Sequence, residues 1–195
     1  MSDRSKSMSI SPPLGRTHAK DLVLRLVACA EPTGGFEGKT RLFKAFYYAH
    51  LYFLEDTGRF LTPWPIVRMP RGPGIDEGDD LIRELIQEGS LRSEGIRAGP
   101  FPSVRYRLAS KADYSTLRHG DPHEVEAVQR AVEHALSRTA EQLTAEVHEY
   151  SRAWRAAANG ESLDLALDVT TKEEDEEMET LLDESSRDLK SIWGD

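Results

Sequence analysis

Apolar residues along the chain recur mostly at helical intervals. Leu22, Leu24, Leu26 and Val27 lie within residues 17–30, just ahead of Pro32, and predict a first helix. The alternation in LVLRLV suits a strand as well. A Thr33-Gly34-Gly35 loop follows. Leu42, Phe43, Phe46, Tyr47, His50, Leu51 and Leu54 then form a broad stripe over residues 39–56, with Gly58 placed to close the helix. A stripe that wide predicts a central helix touched on several sides. Prolines and glycines exclude helix from Phe60 to Ile75, where Pro65–Met69 reads as a short extended piece. Leu81, Ile82, Leu85 and Ile86 predict a third helix over residues 77–88, closed by Gly89.

The period then changes to two. Val104, Tyr106 and Leu108 alternate with Arg105 and Arg107, the pattern of a half-buried strand, and Gly99-Pro100 marks the turn of a hairpin. Asp121 as N-cap and Pro122 at the first helical position start a fourth helix, with Val125, Val128, Val132 and Leu136 on its inner face. Leu143, Val147, Tyr150 and Trp154 predict a fifth over residues 140–158, ending at Asn159-Gly160. Met178, Leu181, Leu182, Leu189, Ile192 and Trp193 give an amphipathic rhythm near the end. The fold class is mainly α (α+β): three helices and a hairpin in winged-helix order, two further helices, and a tail. The expected divisions are a flexible N-terminus (1–16), a helical domain (17–168) and an acidic tail (169–195).

Charge sharpens that division. Residues 171–195 hold ten acids and three bases, which is −7 of the total −9. The body is therefore almost neutral. The start of the chain lacks the apolar core of a secretory signal, and no run approaches the ~18 apolar residues of a spanning helix. The lone Cys29, on an apolar stripe, reads as a small buried hydrophobe and fits a reducing compartment. The expected setting is cytoplasmic, with no membrane partner.

Candidate chemistry thins out on inspection. GGFEGKT at 34–40 imitates a phosphate-binding loop, but the required first glycine falls at Thr33, and the segment before it reads as helix. LDLALDV, with Asp168, imitates a Mg²⁺-binding strand without the βαβ rhythm that would pair it with such a loop. His119 and His123 are separated by a helix-breaking Gly-Asp-Pro. His50 reads as a satisfied core histidine, and His148 as a buried hydrogen-bonding residue that fixes the fifth helix. No nucleophile-base arrangement follows from spacing, so neither catalysis nor a cofactor or metal is expected. Residues 92–118 carry six bases against two acids, a local +4. Basic wings contact phosphates. The third helix opposes a duplex, because Asp79, Asp80, Glu84 and Glu88 outnumber Arg83. DNA is therefore the weaker partner class.

The segment from Arg41 to Pro73 resembles the Panacea domain, the SocA-like antitoxin family. RLFKAFYYAH stands for the family's aromatic helix, Asp56-Thr57-Gly58 for its threonine-glycine turn, and RMPRGPG for the extended piece ending in Gly72-Pro73. EVHEYSRAWRAAANGES, with His148, Trp154 and Gly160, matches a later family feature. Val147 replaces a hydroxyl residue, and Pro70-Arg71 replaces a tyrosine. The resemblance spans roughly 17–165, with Phe43, Tyr47, His50, Gly58, His148 and Trp154 as its structural motif. It implies a protein-binding module that neutralises a cognate toxin by direct contact. One branch of the family delivers its toxin to a Clp-type protease. The expected contact surfaces are Arg68, Arg71, Gly72 and Pro73, the hairpin residues Arg92, Arg97, Arg105 and Arg107, and Leu182, Ile192 and Trp193 of the tail. Self-association into a homo-oligomer stays open, and a winged-helix transcription regulator is the alternative.

Overall fold

The computed structural model describes residues 14–98, 101–109 and 120–169. The N-terminal segment before Leu14, the Gly99-Pro100 turn, Lys111, Arg118 and the acidic tail with Leu182, Ile192 and Trp193 lie outside the described residues.

The helices follow the apolar periods. α1 (Leu14–Ala30) is helical throughout, so the LVLRLV alternation does not make a strand. A 3-10 turn (Glu31–Thr33) leads into β1 (Phe36–Glu37) and then α2 (Lys39–Thr57), which Gly58 closes in the left-handed conformation at φ 67°. β2 (Ile66–Met69) and β3 (Gly72–Ile75) form a two-stranded hairpin. Next come α3 (Gly78–Gln87), β4 (Leu91–Ala98) and β5 (Phe101–Leu108). α4 (Pro122–Leu136) starts at Asp121, whose side chain accepts the His123 N–H. α5 (Ala140–Tyr150) opens with a capping box between Thr139 and Gln142. α6 (Arg152–Ala156) and α7 (Ala166–Val169) end the described chain.

Three expectations need correction. Among the described residues there are two hairpins rather than one, because Gly72-Pro73-Gly74-Ile75 pairs as a strand with residues 66–69. β1 adds an edge, giving a three-stranded antiparallel sheet in the order β1-β5-β4. The single helix expected over 140–158 is broken at Ser151, where ψ swings to 112°. Its hydroxyl oxygen accepts the Trp154 N–H and restarts the chain as a new helix.

α2 is the centre. Eleven of its residues are buried, and it packs along α4 while also meeting α1, β3, α5 and α7. One apolar cluster joins α1, α2, α3, α4 and α5, from Ala19 to Leu165. Among the described residues no helix is long and apolar enough to cross a membrane.

Candidate functional site

Lys44 lies in the second turn of α2, at a position where the helix is buried on all sides. An ammonium there must find acceptors. It donates to the carbonyls of Arg71, at 2.7 Å, and Pro73, at 3.1 Å, clamping the β2–β3 turn from beneath. Burial pushes its pKa down from 10.5 to about 7. Gly72 sits between those carbonyls at φ 96°, and a Cβ there would collide with Nζ of Lys44. Gly74 is equally confined, its missing Cβ facing the Met69 sulfur. The Gly-Pro-Gly stretch is thus required by close approach as well as by turn geometry.

The same hairpin is held from its other side by Trp154. The indole N–H donates to the Met69 carbonyl at 3.0 Å. The Arg68 guanidinium lies 4.3 Å from the ring centroid and donates to the Ala157 carbonyl. His148 stacks on the indole at 4.1 Å and 15°. The backbone continues the junction: Arg68 N–H donates to Glu161, and Gly160 N–H to Arg68. Asp168 anchors the far end of this joint. Its carboxylate accepts from Tyr47 Oη at 2.7 Å, Ser151 Oγ at 2.8 Å and the Ala153 N–H at 2.9 Å. So Asp168 is a three-way structural acceptor in a helical turn.

Of the four residues expected at this loop, only Arg71 is exposed. Gly72 and Pro73 are buried, and Arg68 is turned onto Trp154. Phe43 and Tyr47 belong to the core. His50 is buried: its Nδ1 faces the Phe46 carbonyl at 3.0 Å, and its Nε2 accepts from Thr62. Burial pushes its pKa down to about 4. His148 departs from its expected role, since its Nε2 is enclosed with no hydrogen-bond partner among the described residues. It holds α6 by stacking.

Beside the clamp, a cavity of about 450 Å³ opens between α2, the β2–β3 turn and the start of α3. Phe43, Met69 and Pro70 supply apolar lining, while Lys39, Lys44, Arg71, Glu77, Asp79 and Asp80 supply charge.

The hairpin arginines are balanced in space. Arg107 pairs with Glu31 at 2.8 Å, and Arg92 with Glu94 at 3.4 Å. Arg105 stands in register between Glu94 on β4 and Glu37 on β1. Register partners share a face, so Glu37 and Glu94 lie beside Arg105, Glu37 also lies near Arg41 at 4.0 Å, and among the described residues most of the positive charge counted along the hairpin is offset. Arg97 forms no ion pair among the described residues. The acids of α3 are answered likewise. Glu84 meets Arg16 and Lys20, Glu88 meets Lys20, Asp79 meets Lys39, and Asp80 meets Arg83. The near-miss phosphate loop has a packing origin, because a Cβ on Gly35 would strike the Tyr106 carbonyl of β5. Among the described residues no group of three His, Cys, Asp or Glu side chains could hold a metal ion.

Lys44, Ser151 and the anchoring role of Asp168 were not singled out from the sequence. A lysine inside LFKAFYYA is itself the signal that could have found the first, since nothing else on that turn is polar. Comparison with protein-family models, with curated proteins and with solved structures gives no match.

Proposed function

We propose that this chain is an antitoxin-like protein-binding module, which neutralises a cognate toxin by direct contact and without a cofactor. One observation carries the reading. The two stretches on which the Panacea resemblance rests are about eighty residues apart in sequence, yet they meet through Trp154, Arg68 and Met69. Lys44 and Trp154 together fix a hairpin whose turn offers Pro70 and Arg71 outward. A turn fixed in this way loses little conformational entropy on capture, which favours its use as a docking element. Delivery of the captured protein to a Clp-type protease is the finer form of the same reading.

The test is co-expression with the product of the adjacent open reading frame. That product is expected to arrest growth alone, to be harmless beside this chain, and to co-purify with it. Arg71→Glu is expected to weaken capture at least tenfold with the fold intact, as for a desolvated charge contact. A harmless neighbour that does not co-purify removes the reading.

The alternative is a winged-helix regulator. Support for it comes from the order α1-β1-α2-β2-β3-α3-β4-β5, in which β1, β5 and β4 form one sheet and the β2–β3 hairpin is an insertion between α2 and α3. The ion-paired charges of α3 and of Arg92 and Arg107 on the hairpin weigh against duplex binding, which needs uncompensated Lys and Arg. A gel shift with the chain's own promoter at low and moderate salt separates the two.

A further inference from the structure

The cavity between α2, the β2–β3 turn and α3 is lined by three acids and three bases that are unequally ion-paired. Its three acids each have a cationic partner. Glu77 meets Arg16 at 2.5 Å, Asp79 meets Lys39 at 2.8 Å, and Asp80 meets Arg83 at 2.5 Å. Of its three bases, only Lys39 is so matched. Lys44 has carbonyl partners alone, and an ammonium has three donors for two carbonyls. Arg71 has no carboxylate within ion-pair distance among the described residues. Glu141, on α5, is held below the usual carboxylate range chiefly by hydrogen bonds to its own backbone and to Thr139, with Arg41 and Arg71 adding only weaker attraction. Lys44 and Arg71 are therefore the two cations of the lining without a carboxylate partner among the described residues, and they share the cavity with the apolar Phe43, Met69 and Pro70.

We propose that this cavity binds a carboxylate presented by an acidic polypeptide segment, which Lys44 and Arg71 hold together. The proposal rests on the protein-binding reading and gives it a recognition chemistry. Such a ligand also supplies what Lys44 lacks, an acceptor for its third N–H.

Protonation links to binding. Burial pushes the Lys44 pKa down to about 7. A bound carboxylate favours the ammonium, so binding takes up a proton above that value and weakens as the pH rises. The other charged groups facing the cavity are Glu77, Asp79, Asp80, Lys39 and Arg71, with Glu141 nearby on α5.

The experiment uses a labelled, end-blocked peptide of five residues, Glu-Glu-Asp-Glu-Glu, and its uncharged Gln/Asn counterpart. Anisotropy is read against the full chain, and against a full-chain variant with Glu173, Glu174, Asp175, Glu176 and Glu177 changed to their amides. The acidic peptide is expected to bind, and its amide counterpart not to. Affinity is expected to fall about tenfold between about pH 6 and about pH 9, and about tenfold in Arg71→Ala, the scale of one charged hydrogen bond. Lys44→Met should abolish the pH dependence; Arg71→Ala, at an exposed position, keeps the test sound if the Lys44 variant does not fold. Binding confined to the amide-tail variant also supports the proposal, and identifies the chain's own acidic run as a competing source of the carboxylate. Equal binding of both peptides overturns it, as does no binding to either protein, or an equal loss in Arg97→Ala, outside the cavity. None of these outcomes needs a toxin, so failure here is distinct from failure of the antitoxin reading.

Discussion

Lys44 takes a titratable amine to a largely buried place at the edge of a cavity, and the consequence is a pH dependence with a definite sign. Its folded pKa of about 7 lies below the unfolded value of 10.5. Between these values the unfolded chain binds the extra proton, so stability rises with pH across that window. The slope is on the order of 1.4 kcal/mol per pH unit at most. Below about pH 7 the ammonium is present in both states, and the folded protein bears the full cost of burying it. Lys44→Met removes this contribution and also takes a donor from two turn carbonyls, leaving that of Arg71 only the long bond from Thr144 Oγ1 at 3.4 Å, a loss of about 1–3 kcal/mol. The stability gap between wild type and Lys44→Met is therefore expected to widen from about pH 7 to about pH 10, read by urea titration at each pH. A gap constant with pH would mean that the amine is solvated. Gly72→Ala attacks the same contact from the other side. Its φ of 96° and its closeness to Nζ make even a methyl group unwelcome. A loss of at least about 2 kcal/mol is expected, with the lysine clamp displaced.

At the scale of elements, what could be read from the sequence depended on how local the cause was. α2, α3 and α4 were legible because their stripes and caps lie within their own residues: Gly58 ends α2, and Asp121 with Pro122 begins α4. β3 was hidden because Gly-Pro-Gly reads as a breaker; it is a strand because Ile66–Met69 lies beside it and Lys44 holds it from below. The break at Ser151 was hidden for a related reason. HEYSRAW has neither glycine nor proline, and the bend is fixed by Asp168, seventeen residues on. That dependence can be tested. Asp168→Ala strips acceptors from Tyr47, Ser151 and the Ala153 N–H together, and a loss of about 2–4 kcal/mol is expected. Ser151→Ala removes one cap and one of the three bonds, and about 1–2 kcal/mol is expected. The two losses should be less than additive in the double variant, because they share a bond. Full additivity would show that Ser151 and Asp168 act separately.

For the whole molecule, the decisive quantity is charge summed in space rather than along the chain. The arginines of β4 and β5 look like a nucleic-acid surface until Glu31 and Glu37 are brought beside them from sixty or more residues away. Glu31, Glu37 and Glu94 then lie against Arg107, Arg105 and Arg92, leaving the described part of the sheet face with little of the uncompensated positive charge that duplex binding requires. If that cancellation is what keeps the face off DNA, removing it should create affinity. The variant with all three glutamates changed to glutamine keeps the shape of each side chain and frees about three positive charges. Wild type is expected to leave a random duplex unshifted at moderate salt. The variant is expected to bind it weakly and without sequence preference, with a slope of log K on log salt of about −2 to −3, since each neutralised phosphate contributes about −0.9. A wild-type protein that already binds tightly, with selectivity for one sequence, would show that recognition lies elsewhere on the molecule and would move the winged-helix reading ahead. A variant that gains no affinity would show that the arginines are held against their own sheet too firmly to reach a phosphate, whatever the glutamates do.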